Sequence, residues 1–205
     1  MTETLEELLR RLAEASPTPG GGSAAALCGA VASALAGMVA GLALGKTGYE
    51  AVQAEVRDLV HQAEALRRRF TELVTLDADV FEGVSLAYKM KKGTDAERAA
   101  RKEAIQHSLK EATLVPLETM ERAVEALRVA SEALEKGARA AFTDAAAAGL
   151  IAEACLRAAE LNVRVNLASL EDAAFRDEMQ RKAEDFERRG ADLAARIREG
   201  AQARL

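Results

Sequence analysis

The residues best suited to chemistry fall in short, separated stretches of the 205-residue chain. Pro17-Thr18-Pro19-Gly20-Gly21-Gly22-Ser23 stands where a long uncharged segment begins. Glycines let backbone N–H groups approach an anion closely, and a helix start leaves several such groups free with a dipole that favours negative charge. Pro19, Gly20, Gly21, Gly22 and Ser23 are therefore a competent carboxylate or phosphate cradle, although a plain tight connection with Ser23 as helix cap accounts for the same residues. The loop matches neither the P-loop nor the dinucleotide fingerprint. Asp77 continues an inward stripe of Phe70, Leu73, Val74, Phe81 and Val84, where a carboxylate is costly unless paired or hydrogen-bonded. Burial there raises its pKa toward the range useful for acid–base work; an edge residue partnered by Lys or Arg is the structural alternative. Thr143 and Asp144 precede Ala145-Ala146-Ala147-Ala148, where a helix cap is the simplest role. Asn162 and Asn166 lie one turn apart on an otherwise apolar helix, so each buried amide needs a partner or a ligand, and a polar seam between helices is the other reading. Lys46, after the uncharged segment, either pairs an anionic substrate or offsets the negative C-terminal end of a helix.

These positions need helices to hold them, and the sequence is helical throughout. Leu5, Leu8, Leu9 and Leu12 define a first helix over 4–14, which the proline and glycine run stops. From Ser23 to Gly45 no residue is charged, a length that alone would nominate a membrane span. Its bulky members Leu27, Val31, Leu35, Val39 and Leu42 form one stripe, with Gly29, Ser33, Gly37, Gly41 and Gly45 roughly opposite. The expectation is that the bulky face fills a core and the small face permits close approach of another helix, as in a central helix of a soluble bundle or dimer. Apolar residues at three-four spacing from Tyr49 to about Lys91 predict one long helix, bent near Gly83. Thr94 and Glu97 form a capping box for the next. Pro116 should kink or split that helix, because it removes a backbone donor. Gly137 closes it, Thr143 or Asp144 caps an apolar helix through Leu167, and an amphipathic helix from Glu171 to about Arg198 ends the series. The expected fold is all-α, a bundle of about six helices in a single domain over 1–205.

Composition excludes several function classes. Ala, Leu, Glu and Arg dominate, aromatics are 3% and Trp is absent, so strand-forming alternation is missing. The formal net charge of -5 mixes both signs on every polar face, leaving no basic stripe for nucleic acid. Cys28 and Cys155 lie in apolar stretches and the amino terminus lacks signal-peptide regions, which together suit a reducing cytoplasm. His61 and His107 sit among charged residues, and no metal-spacing cluster can be assembled.

Taken in order, Pro17 to Ser23, Leu44-Gly45-Lys46, Asp77 with Phe81, Val115-Pro116-Leu117, Thr143-Asp144 and Asn162-Val163-Arg164-Val165-Asn166-Leu167 resemble the formiminotetrahydrofolate cyclodeaminase and methenyltetrahydrofolate cyclohydrolase family. The likeness spans almost the whole chain, and its distinctive part is the Pro-Gly-Gly-Gly-Ser loop leading into a small-residue helix. The resemblance implies a helical protein, dimeric at least, of the kind found alone or as the carboxyl-terminal half of a bifunctional formiminotransferase. It implies one of two reactions on a tetrahydrofolate derivative. Cyclodeamination closes N10 onto the N5-formimino carbon and expels ammonia; cyclohydrolysis adds water to the methenyl carbon and opens the ring to 10-formyltetrahydrofolate. Both pass through a tetrahedral carbon between two nitrogens and need proton transfer and positioning without redox chemistry or a metal. The implied roles are Asp77, ahead of Asp144, as proton shuttle, Asn162 and Asn166 as positioning amides, Gly20 to Ser23 as backbone donors, Thr143 at the site, and Lys46 near the substrate's anionic tail. Ala138 replaces a frequent Asn, and Met90-Lys91-Lys92 replaces a Leu-Pro-Lys turn. Loss of that amide sets a folate-binding bundle without catalysis, and a purely structural helical dimer, beside the enzyme as alternatives.

Overall fold

The computed structural model describes residues 3–205, and among them it contains α-helices, two short 3-10 turns and no strand. Helix α1 spans Leu5–Leu12, α2 Gly21–Gly41, α3 Gln53–Lys89, α4 Asp95–Lys136, α5 Phe142–Ala168 and α6 Ala173–Gln202. The all-α expectation and the number of helices hold. Thr4 and Glu7 cap α1, and Thr94 and Glu97 cap α4, each as a reciprocal capping box. Asp172 caps α6 by accepting from the Phe175 N–H.

Helix α2 packs against α3, α4 and α5; its small face makes the expected close approach, but its bulky face does not fill a core. Its buried residues are the small ones, among them Gly22, Ser23, Ala26, Gly29, Ala32, Ser33 and Ala36. A Cβ on Gly29 would lie 2.3 Å from the Phe70 ring, and one on Gly37 would lie 2.9 Å from the Ala63 Cβ. The close approach is therefore made to α3 of the same chain. Of the bulky stripe only Val39 is fully buried; Leu27 and Leu35 are half-buried, while Val31 is 48% and Leu42 41% exposed. A helix hemmed in by three neighbours leaves little space between backbones, and only small side chains fit that space.

Other expectations change as well. Helix α4 runs unbroken from Asp95 to Lys136 with Pro116 inside it, so Pro116 does not split it. Proline cannot donate to the carbonyl four residues back, which is that of Ala112. That carbonyl accepts instead from the Asn166 Nδ2 of α5 at 2.7 Å, and a side chain from the neighbouring helix replaces the missing donor. Gly83 lies within helix α3, which is one long helix as expected. The start of α5 is not capped by Thr143 or Asp144: the cap position is Ala141, without a side-chain bond, and Asp144 lies in the first turn. At α2 the cap position is Gly20 rather than Ser23.

Helices α2 and α5 lie side by side in opposite directions. The Ala138 N–H before α5 donates to the Val39 carbonyl near the end of α2 at 3.1 Å. At the other end, Gly21 of α2 and Asn162 of α5 line one cleft. One helix, Gly21–Gly41, is long and apolar enough to cross a membrane, and half of its most apolar stretch is buried inside the protein.

Candidate functional site

At the start of α2 the glycine loop, α3, α4 and α5 enclose a cleft of about 120 Å³. Its walls include Gly20, Gly21 and Gly22 from the loop, Asp77 and Phe81 from α3, and Asn162, Val165 and Asn166 from α5. Residues more than 140 positions apart in the chain thus meet in one cleft.

Asp77 is held at this spot by the loop. The Ser23 hydroxyl donates to its Oδ2 at 2.9 Å, a bond available because Ser23 lies in the first turn of α2, completely buried. Gly22 makes the approach possible, since a Cβ there would lie 2.0 Å from Asp77 Oδ1 and 2.5 Å from its Cγ. Burial pushes the Asp77 carboxyl above the usual carboxylate range, and the side-chain and backbone hydrogen bonds of Ser23 only partly oppose that rise. No Lys or Arg forms an ion pair with Asp77 among the described residues, so the edge-residue reading does not hold. The result is a half-buried carboxyl in a cleft, able to take and return a proton.

The amides have their own anchors. Asn166 donates to the Ala112 carbonyl exposed by Pro116, which leaves its side-chain oxygen as an acceptor. Asn162 donates to the Ala158 carbonyl of its own helix at 2.9 Å. Both are thereby fixed in rotamer and face the cleft beside the uncapped N–H groups at the start of α2.

Other expected site residues are not brought here. Pro19 is buried and does not line the cleft, which Pro17 and Thr18 do instead. Lys46 is exposed beyond the far end of α2, about 30 Å away for a helix of that length. Thr143 and Asp144 begin α5, and Asp144 and Asn162 are separated by about five turns, ~27 Å. Val80 and Ala112 complete the cleft and were not foreseen; their only sequence signal was proximity to Asp77 and to Pro116. Ala138, in place of a frequent Asn, is buried and is tied by its own N–H to Val39, so the turn there is fixed without an amide.

A wider groove of about 490 Å³ lies between α3 and α4. Its Arg69, Arg122 and Arg128 already pair with Glu118, Glu125 and Glu132, which leaves no unpaired charge to recognise a ligand. No group of three or more His, Cys, Asp or Glu among the described residues is placed to hold a metal ion.

Comparison with known proteins identifies the family. The chain is 40% identical over 203 residues to a methenyltetrahydrofolate cyclohydrolase of Methylorubrum extorquens, covering 99% of this chain and 98% of that one. It is 30% identical over 200 residues to the formimidoyltransferase-cyclodeaminase of Sus scrofa, covering 98% of this chain but 37% of that protein. The fold matches the crystal structure of formiminotetrahydrofolate cyclodeaminase from Thermotoga maritima with a TM-score of 0.89 at 30% identity, over 98% of this chain and 97% of that one. Residues 4–185 match the sequence profile described as formiminotransferase-cyclodeaminase, and the chain belongs to that family.

Proposed function

We propose that this chain is a one-carbon folate enzyme that opens 5,10-methenyltetrahydrofolate to 10-formyltetrahydrofolate, with Asp77 as the proton carrier. The observation that carries the reading is the half-buried Asp77 carboxyl, aimed into a cleft by Ser23 and admitted by Gly22. The preference for cyclohydrolysis rests on the higher identity to the cyclohydrolase relative. Water adds to the methenyl carbon as Asp77 takes one of its protons, giving a neutral tetrahedral carbon. The carbon–N5 bond then breaks with its electron pair on N5, which receives the proton from Asp77, while the hydroxyl proton passes to solvent as the formyl carbonyl forms. The Asn162 and Asn166 amides hold the ring, and the N–H groups at the start of α2 face the oxygen as charge builds on it.

The match to a cyclodeaminase structure favours a second activity at the same cleft, attack of N10 on the formimino carbon with ammonia as leaving group. Both reactions use one proton carrier between two nitrogens, and neither calls for a metal. The protein is proposed to work as one domain over 1–205, in the cytoplasm, as a homodimer or higher homo-oligomer. Following methenyltetrahydrofolate absorbance tests the two activities together. The cyclohydrolase reading expects its enzyme-dependent loss in water and indifference to EDTA, and the cyclodeaminase reading expects its appearance from 5-formiminotetrahydrofolate. Absence of both changes defeats the enzyme reading, and calorimetry with tetrahydrofolate then separates a folate binder from a structural bundle.

A further inference from the structure

Pro116 stands at the middle of α4, buried in a helix that continues through it. Proline carries the heaviest penalty of any residue in a helix interior, because it removes a backbone donor and its ring crowds the carbonyl four residues back. Nothing at position 116 itself offsets that penalty. A residue that breaks a local rule and is compensated elsewhere points to function, and the compensation here is made by a residue of the cleft.

The carbonyl that the proline crowds is that of Ala112, a buried residue and a wall of the cleft. The hydroxyls close to it on α4 are spent on other carbonyls: Thr113 donates to Leu109 at 2.7 Å and Thr119 to Val115 at 3.0 Å. Among the described residues the side chain that reaches Ala112 is Asn166 of α5, whose Nδ2 lies 2.7 Å from the oxygen.

This bond differs in kind from the one that anchors Asn162. Asn162 Nδ2 donates to the Ala158 carbonyl at 2.9 Å, and that carbonyl already receives the backbone N–H four residues on, which belongs to Asn162 itself. The Asn162 amide can therefore turn over without stranding an acceptor. Asn166 has no such freedom. A carbonyl oxygen only accepts, so turning the Asn166 amide over would set its Oδ1 against the Ala112 oxygen and leave a buried acceptor without a donor. Nδ2 is held on Ala112, and Oδ1 is held as an acceptor.

We infer that Pro116 is a positioning residue of the site: by withholding an N–H from Ala112 it fixes the Asn166 amide with its oxygen toward the substrate, where that oxygen accepts from an N–H of the pterin ring. The ligand atom follows from the orientation. A fixed acceptor selects a donor, and the pterin carries ring N–H groups and a 2-amino group, whereas its 4-oxo group would be repelled. The assignment of the ligand rests on the folate reading above; the lock on the amide does not. An alanine at 116 would give Ala112 a donor within α4 and release Asn166 to two amide orientations and up to about three side-chain rotamers. The fraction presenting the acceptor then falls to between about one half and one sixth, and the apparent affinity falls with it.

Magnetic resonance and kinetics test it together. The chain has two asparagines, Asn162 and Asn166, so selective isotope labelling of asparagine gives two side-chain NH2 pairs. In wild type one Asn166 side-chain proton should be shifted downfield and slow to exchange; in Pro116→Ala both features should be lost while the Asn162 pair keeps its position. Pro116→Ala should also raise KM for methenyltetrahydrofolate by about two- to sixfold with kcat held, since bound substrate restores the competent orientation. Added to Asn166→Ala, the same substitution should raise KM no further. An Asn166 pair that does not move in Pro116→Ala overturns the proposal, because the proline then does not hold the amide, and so does a wild-type KM in that variant. An equal rise in both backgrounds overturns it too, since residue 116 would then act through the path of α4 rather than through Asn166. Loss of the protected proton in Pro116→Ala, with no turnover or binding of a tetrahydrofolate by wild type, would leave the lock standing and remove the folate reading.

Discussion

Gly22→Ala tests whether the position of Asp77 matters more than its presence. The added Cβ would lie 2.0 Å from Asp77 Oδ1, 2.5 Å from Cγ and 2.7 Å from Oδ2. A carbon and an oxygen in ordinary contact stand about 3.4 Å apart or more, near the minimum of their dispersion well, so the carboxylate must retreat by more than about 1 Å. That movement breaks or stretches the 2.9 Å bond from Ser23. A displacement of about 1 Å from productive geometry costs on the order of 100-fold in rate. The stability cost should be smaller: overpacking of about 1–3 kcal/mol is offset by about 1 kcal/mol of helix propensity gained on replacing Gly with Ala. The expected outcome is therefore kcat/KM lower by about 100-fold, expressed mostly in kcat, with helical circular dichroism unchanged and a modest fall in Tm. Ser23→Ala, which removes the hydroxyl but adds no bulk, should lose less. A Gly22→Ala enzyme with wild-type kcat would refute the assignment of Asp77 as a positioned proton carrier, because no rotamer of Asp77 can keep its place beside that methyl group.

Asp77→Asn keeps size but removes the ionisable group, and should lower kcat by roughly two to four powers of ten and erase the acid limb of the kcat/KM profile, which in wild type should lie above the ordinary carboxylate range because burial raises this carboxyl. A raised folded-state pKa means that the native state favours the protonated form, so wild type is relatively stabilised at low pH and loses that benefit as pH rises through the folded pKa. Asp77→Asn should accordingly be more stable than wild type at pH 7, with the difference vanishing below about pH 3.9; a variant less stable at pH 7 contradicts the burial argument. Asn166→Ala strands the Ala112 carbonyl and should cost about 1–3 kcal/mol in urea denaturation, much of it recovered in Asn166→Ala/Pro116→Ala, where residue 116 again carries an N–H. No recovery would mean that the amide serves something other than that carbonyl. At Gly21 a Cβ meets only Asn162 Nδ2, at 3.9 Å, so Gly21→Val should fold normally but fill the cleft and abolish folate binding by calorimetry; unchanged affinity would reduce the loop to a connector.

Which parts of this arrangement the sequence disclosed depends on the range over which each signal acts. The capping box at Thr94 is local, three residues long, and was readable directly. Asp77 was readable because it interrupts a helical stripe, a pattern internal to α3. The orientation of α2 was not, because bulk was equated with burial. That rule holds for a helix lying on a core and fails for one wedged among three others, where Gly29 must admit Phe70 and Gly22 must admit Asp77. Pro116 was misjudged for a similar reason: its local effect on the backbone is real, but the compensating donor, Asn166, comes from another helix and is invisible at the position it rescues. The division of the site residues between two ends is the most instructive gap. Asp77 and Asp144 are both candidate proton carriers in the sequence, and the antiparallel run of α2 and α5 sets Asp144 most of the length of a helix away from the cleft. A list of suitable residues in the right order therefore identifies a family well before it defines one constellation within a single chain.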